Sequence, residues 1–221
     1  MTRLRKTQFL VGFLFLILGI VSSCSPTPQK DCGFVQNIYG QRIAWKSQSP
    51  VKVYIHQSVP AALRPALLRA AATWETQIGH KVFEFSEDSS EISSTPSRDK
   101  KNVIYFLSQW ESDRSSEQGR TSVYWAGDQI QEADIRINGA DFSYYDQDTQ
   151  VLVGSASLQA QGKTARDGYS FEALLLHEMG HMLGLKHRDG VATVMATHLA
   201  AFTDRVQLSS SDQDDITCEY K

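Results

Sequence analysis

The stretch FEALLLHEMGHMLGLKH, residues 171–187, constrains this chain more than any other. It carries His177, Glu178, His181, Gly184 and His187 in the pattern H-E-x-x-H-x-x-G-x-x-H. On a helix, residues four apart share a face, so His177 and His181 can aim their imidazoles at one point. A third histidine ten residues after the first cannot reach that point along a continuous helix. At a rise of about 1.5 Å per residue it would lie roughly 15 Å up the axis, whereas zinc holds nitrogens at about 2.0–2.1 Å. The spacing therefore predicts a helix that ends between His181 and His187, with Gly184 taking the positive φ that turns the chain back. It describes a three-histidine metal site with one coordination position left open. Five fixed positions match by chance in a chain of this length with a probability on the order of 10⁻⁵.

The rest of the chain narrows the setting. Its 221 residues suit one domain plus extras, and 41% hydrophobic content is enough for a core. A formal charge of −3 provides no basic footprint for nucleic acid. Three cysteines are too few for a disulfide scaffold, and no C-x-x-C zinc spacing occurs.

The N-terminus has the layout of an export signal. Arg3, Arg5 and Lys6 precede an apolar run from Phe9 to Val21, too short to span a bilayer, which takes about 20 residues. The run ends in Val21-Ser22-Ser23-Cys24, which resembles the bacterial lipobox, so residues 1–23 are expected to be a lipoprotein signal and Cys24 the lipidated anchor. The alternative is an ordinary secretory signal that leaves Cys24 a plain thiol. Ser25 after the cysteine resembles lipoproteins sent to an outer membrane. Both readings put the protein outside the cytoplasm, in the cell envelope or secreted. Residues 24–49 are expected to be a tether and N-terminal segment, with Pro26 and Pro28 in its first part. In an oxidising compartment the remaining pair, Cys32 and Cys218, most simply forms a disulfide.

From residue 50 the pattern is strand, long helix, several strands and then the histidine helix, an α+β layout. Val51–Ile55, Val82–Phe85 and Asn102–Leu107 are the expected strands, with a helix over 60–78 stopped by Gly79. Ser122–Trp125 suggests a short strand. Ala133–Asn138 alternates cleanly, with Asp134, Arg136 and Asn138 on one face, and is assigned to a sheet edge that could accept an extended peptide. Asp141, Asp146 and Asp148 cluster, but without the regular ligand spacing of a calcium loop, so calcium is not supported there. Residues 150–168 are expected to cover the site as a loop. Ser170 is the expected N-cap of the histidine helix, with Glu172 in its first turn. His56, His80 and His198 lack ligand spacing, and only His198 lies near enough to border a cleft.

His177 to His187, followed by Thr193-Val194-Met195, resembles the metzincin zinc endopeptidases and, within them, the matrixins. The resemblance covers roughly residues 50–221. It implies a twisted mixed β-sheet with a long N-terminal helix, the zinc-binding helix and a short C-terminal helix. It also implies one catalytic Zn²⁺ on His177, His181 and His187, with Met195 as the floor beneath it. Leu208-Ser209 and Asp214-Asp215-Ile216 look like the start of the family's last helix, with Ser211 and Asp214 as its capping signal. The resemblance also opens a rival role for Cys32, as a thiolate capping the metal, although only Cys-Gly of that longer switch motif is present. Three features depart from family patterns. Ala196-Thr197 replaces the aromatic and proline after the methionine. No histidine lies between Asn138 and Phe171 to hold a second zinc, and the tyrosine used by astacin-like relatives is absent.

The expected function is a monomeric zinc endopeptidase acting on extracytoplasmic proteins or peptides. Glu178, beside a ligand, is the expected base for a zinc-activated water. Two competing readings are a non-catalytic zinc-stabilised surface lipoprotein and a cell-wall amidase. An intact Glu178 argues against the first, and an exposed strand edge argues against the second.

Overall fold

The computed structural model describes residues 26–46, 50–88, 90, 92–155, 168–201 and 203–221. The signal segment, Cys24 and most of the covering loop (156–167) lie outside the described residues. Among the described residues, no helix is long and apolar enough to cross a membrane.

Five strands form the main sheet: β1 (Val51–Ile55), β2 (Phe83–Ser86), β3 (Asn102–Leu107), β4 (Gly119–Ala126) and β5 (Gln129–Asn138). Their order is β2-β1-β3-β5-β4, parallel except for the antiparallel pair β4–β5. A second sheet joins β6 (Ser143–Tyr145), β7 (Leu152–Gly154) and β8 (Tyr169–Ser170) in the order β7-β6-β8. The three α-helices among the described residues are α1 (Arg64–Ile78), α2 (Phe171–Met182) and α3 (Ser210–Tyr220). This is the mixed α+β fold expected.

Local chemistry explains α1. Leu67, Ala70, Ala71, Trp74 and Ile78 recur at helical spacing and are buried. Pro65 sits in the first turn, where a missing N–H costs little, and Gly79 closes the helix at φ +88°. Each large apolar side chain buried in this way contributes roughly 1.5–3 kcal/mol. The buried indole of Trp74 also donates to the Leu176 carbonyl at 2.9 Å, fastening α1 to α2.

The sheet corrects the edge assignment. Residues 133–138 belong to β5, which is paired on both sides, by β3 and β4. The edge strand beside β5 is β4, the other edge being β2, and β4 also runs well beyond Ser122–Trp125. The alternation misled because the polar face of β5 is covered, not wet. Asp134 accepts from the Val103 N–H at 2.9 Å, and Asn138 donates to the Glu117 carbonyl and to Asp141, both at 2.9 Å. Both side chains are buried.

The segment expected as a loop, 150–168, begins with strand β7, which pairs with β6 ahead of it. Asp146 and Asp148 turn to the Arg69 guanidinium, which pairs with Glu172 as well. These carboxylates are therefore engaged by a cation already in the chain. The last helix is capped two residues before the expected cap: Ser209 accepts from the Asp212 N–H, and Asp212 accepts from the Ser209 N–H, a capping box. Both pairs fit S/T-x-x-D/E, but only the earlier one lies at the helix boundary, and the Ser211 hydroxyl is buried without a partner.

Cys32 and Cys218 are joined by a disulfide, with Cα atoms 6.4 Å apart, so the two ends of the described chain meet. A sulfur bonded to another sulfur is not a thiolate, the form that binds a metal, so Cys32 does not cap the site.

Candidate metal centre and substrate cleft

Helix α2 opens with the Ser170 side chain accepting from the Ala173 N–H, and Glu172 lies in its first turn. It ends at Met182, and Gly184 takes φ +102°. The ending is tied down. The Tyr220 hydroxyl donates to the Leu183 carbonyl at 2.7 Å, and the Trp45 indole donates to the Met182 carbonyl at 2.9 Å. These fill acceptors that a helix C-terminus leaves open.

The reversal brings His187 to the two helical histidines. The three Nε2 atoms lie 3.0, 3.1 and 3.2 Å from one another. Two of the tautomers follow from their partners. His177 Nδ1 faces the Val194 carbonyl at 2.7 Å and His181 Nδ1 faces the Leu185 carbonyl at 2.8 Å. A carbonyl only accepts, so each Nδ1 carries the proton and each Nε2 presents a bare lone pair. Lone pairs converging at 3.0 Å repel unless a cation lies between them, so this donor set fits a metal such as zinc. Burial, reinforced by the nearby His181, pushes His177 down to about 3, and burial lowers His187 too, so both favour the neutral form a ligand needs. Among the described residues this is the one cluster of three side chains able to hold a metal.

Met195 packs beneath this cluster against α2. A Cβ at Gly180, between the two helical histidines, would collide with the Met195 sulfur. The turn carrying Met195 is held from α3. Buried Asp212 accepts from the Val194 N–H at 3.1 Å and from the Thr193 hydroxyl. The Val194 carbonyl is the one that orients His177, so the α3 cap and the His177 ring share a single peptide segment.

Glu178 points from α2 toward β4 and is 3% exposed. The Thr121 hydroxyl lies 2.6 Å from its Oε2. Burial raises the Glu178 carboxyl above its usual range, opposed by His181 and by Thr121. Gly119 leaves room for the other carboxylate oxygen, since a Cβ there would lie 2.8 Å from Oε1. Neither Thr121 nor Gly119 was visible as a site residue, because nothing in GRTSVYWA marks it as a neighbour of the helix. Asp212 did carry a signal, the capping pattern from Ser209.

The histidines, Glu178 and β4 border a cavity of about 650 Å³. Gln118, Ala196, His198 and Leu199 line one end, and Val35, Ile43, Val123 and Trp125 are further liners. His198 thus does border the cleft. His56 is buried against Ser58 and His80 is exposed, and neither lines this cavity.

The family model described as Matrixin matches residues 45–221. The chain belongs to the matrixins. It is therefore a zinc metalloendopeptidase, a hydrolase with peptide substrates, and the family's metal is the one the histidine cluster fits. No curated protein matches the chain. The match begins at Trp45, so residues 26–44 lie ahead of it.

Proposed function

We propose that this matrixin hydrolyses extracytoplasmic proteins or peptides, with His177, His181 and His187 as zinc ligands and Glu178 as general base. The observation that carries the reading is the convergence of three histidine Nε2 atoms within 3.2 Å of one another, next to a buried carboxylate. Zinc, when bound there, supplies a Lewis acid that acidifies water and polarises a carbonyl. The chain's own residues do the rest. Glu178 takes the proton from water and hands it to the leaving amine, and its raised pKa brings it closer to the range where both transfers are favourable. Thr121 fixes the carboxylate's orientation. Gly184 makes the turn that brings in His187, and Met195 is an apolar floor that keeps the ligand face dry. The unpaired edge of β4 offers backbone groups to an extended peptide, which aligns a scissile bond over Glu178.

The protein is further proposed to act as a monomer anchored through lipidated Cys24, on the strength of the lipobox-like Val21–Cys24. The purified protein should cleave unfolded casein, lose that activity on chelation and regain it with added zinc. Casein left intact by the zinc-loaded protein would sink the peptidase reading. Cys24→Ala should move the protein from the membrane fraction to the soluble one, and no change in partitioning would sink the anchor.

A further inference from the structure

The residues ahead of the family match build a separate element. Residues 33–44 form a short hairpin, bridged between Gln36 and Arg42, with Ile38 and Tyr39 exposed at its tip. One arm is bonded to the turn between His181 and His187. Phe34 bridges Leu185, the Val35 N–H donates to the Gly184 carbonyl at 2.9 Å, and the Lys186 N–H donates to the Gly33 carbonyl at 2.8 Å. The other arm meets the turn between β4 and β5. The Ala44 N–H donates to the Asp128 carbonyl at 3.1 Å, and from the first arm, just before the tip, the Asn37 side chain donates to the Gly127 carbonyl at 3.0 Å. The Cys32–Cys218 disulfide fastens the root. The hairpin thus runs from the ligand turn to the far end of the edge strand.

Val35 and Ile43 of this hairpin line the cleft cavity together with Val123 and Trp125 of β4. All four are apolar, and Trp125 is left 45% exposed. Lys186, which also lines the cavity, has its ammonium drawn off to Asp31. Thr121 touches Glu178, and Trp125 is four residues further along the same strand, roughly 13 Å away at about 3.3 Å per residue. An extended substrate on that edge advances by a similar step, so Trp125 falls beside a residue about three or four places from the scissile bond.

We infer that hairpin 33–44 and Trp125 form a specificity subsite for a bulky apolar substrate side chain, on the side of the scissile bond over the C-terminal end of β4. The inference rests on the peptidase reading. An apolar side chain entering this corner gives up water on both surfaces, whereas a charged one meets no free partner among its four apolar liners. A single methylene in an apolar pocket is worth roughly 10–200-fold in kcat/KM, so a large side chain against a minimal one should exceed about 10-fold.

The test is a cleavage-site profile of the zinc-loaded full chain on a randomised peptide library, followed by a peptide pair differing only by Leu or Gly at the enriched position. The parent should enrich bulky apolar residues at one position about three or four from the cut and prefer the Leu peptide at least 10-fold. Val35→Glu and Trp125→Ala should each bring that preference toward one, with Trp125→Phe restoring most of it. Ile38→Ser, at the hairpin tip outside the cavity, should keep the parent's preference. The inference is overturned if the parent profile is flat there, or if both cavity variants keep the Leu preference. A parent that cuts no peptide at all defeats the peptidase reading itself, and the subsite with it.

Discussion

The floor of the cleft and its wall are built from the same chain in opposite ways. The floor comes from one run, residues 177–195, where a helix, a turn and a methionine bring the ligands together. The wall is gathered from three distant stretches: β4, the hairpin 33–44 and residues 196–199 after the methionine turn. The floor depends on spacing along the chain and the wall on what packs beside what. A short-range code is stated in full by residue types at fixed offsets, whereas a long-range one needs the sheet order and the disulfide before its members are neighbours. The two meet at Glu178, which belongs to the floor but is oriented from the wall by Thr121 and Gly119.

That division can be broken or sharpened experimentally. The largest effect should come from the floor. Glu178→Gln is expected to lower kcat by roughly 10²–10⁴-fold, the usual contribution of acid–base catalysis, with zinc content by metal analysis unchanged. Turnover close to the parent's would remove Glu178 from the mechanism. Next is the fastening of the wall. Replacing Cys32 and Cys218 together by Ser opens a cross-link 186 residues apart in sequence and should cost about 3 kcal/mol in denaturant unfolding. An unchanged midpoint would mean that the hairpin is held by its backbone bonds alone.

Gly119→Ala tests the contact between the two regions. Its new Cβ would displace the Glu178 carboxylate, and misplacement of this kind should lower kcat by about 10- to 100-fold without loss of zinc. A kcat equal to the parent's would show that the carboxylate tolerates the shift and that the wall does not position it. The smallest effect lies away from both regions. Burial favours the neutral form of Asp146, but the Arg69 guanidinium and backbone N–H groups outweigh it and hold the carboxyl below its usual range. A depressed folded pKa contributes stability above the unfolded value near 3.8 and loses it as pH falls through the folded one. Asp146→Asn should therefore cost about 1 kcal/mol at pH 7, with the gap to the parent closing below pH 4. A gap that stays constant into acid would contradict the ion pair with Arg69.

Much of the fold was legible because its signals were local. The spacing of Leu67, Ala70, Ala71, Trp74 and Ile78 announced α1, and Gly79 announced its end. The Ser170 cap and the break after His181 could likewise be read from residue types. The edge strand could not. Asp134 and Asn138 look solvated in sequence but are buried because neighbouring strands and loops supply their hydrogen-bond partners. Alternation reports that two faces differ, and it does not report which face meets water when the polar one is satisfied internally. The capping box at Ser209 was legible in kind but misplaced by two residues, since the run Ser209-Ser210-Ser211 offers more than one start.

By itself, the sequence determined the ligand helix, its reversal at Gly184 and the three histidines, because 3.6 residues per turn and one glycine turn offsets along the chain into positions in space. Tertiary structure alone decided that β4 is an open edge, that Thr121 and Gly119 orient Glu178, and that a hairpin ahead of the family match closes one end of the cleft. Those are contacts between segments tens to more than a hundred residues apart, and no offset along the chain encodes them. They depend on sheet order and on the Cys32–Cys218 bond, which exist only once the chain has folded.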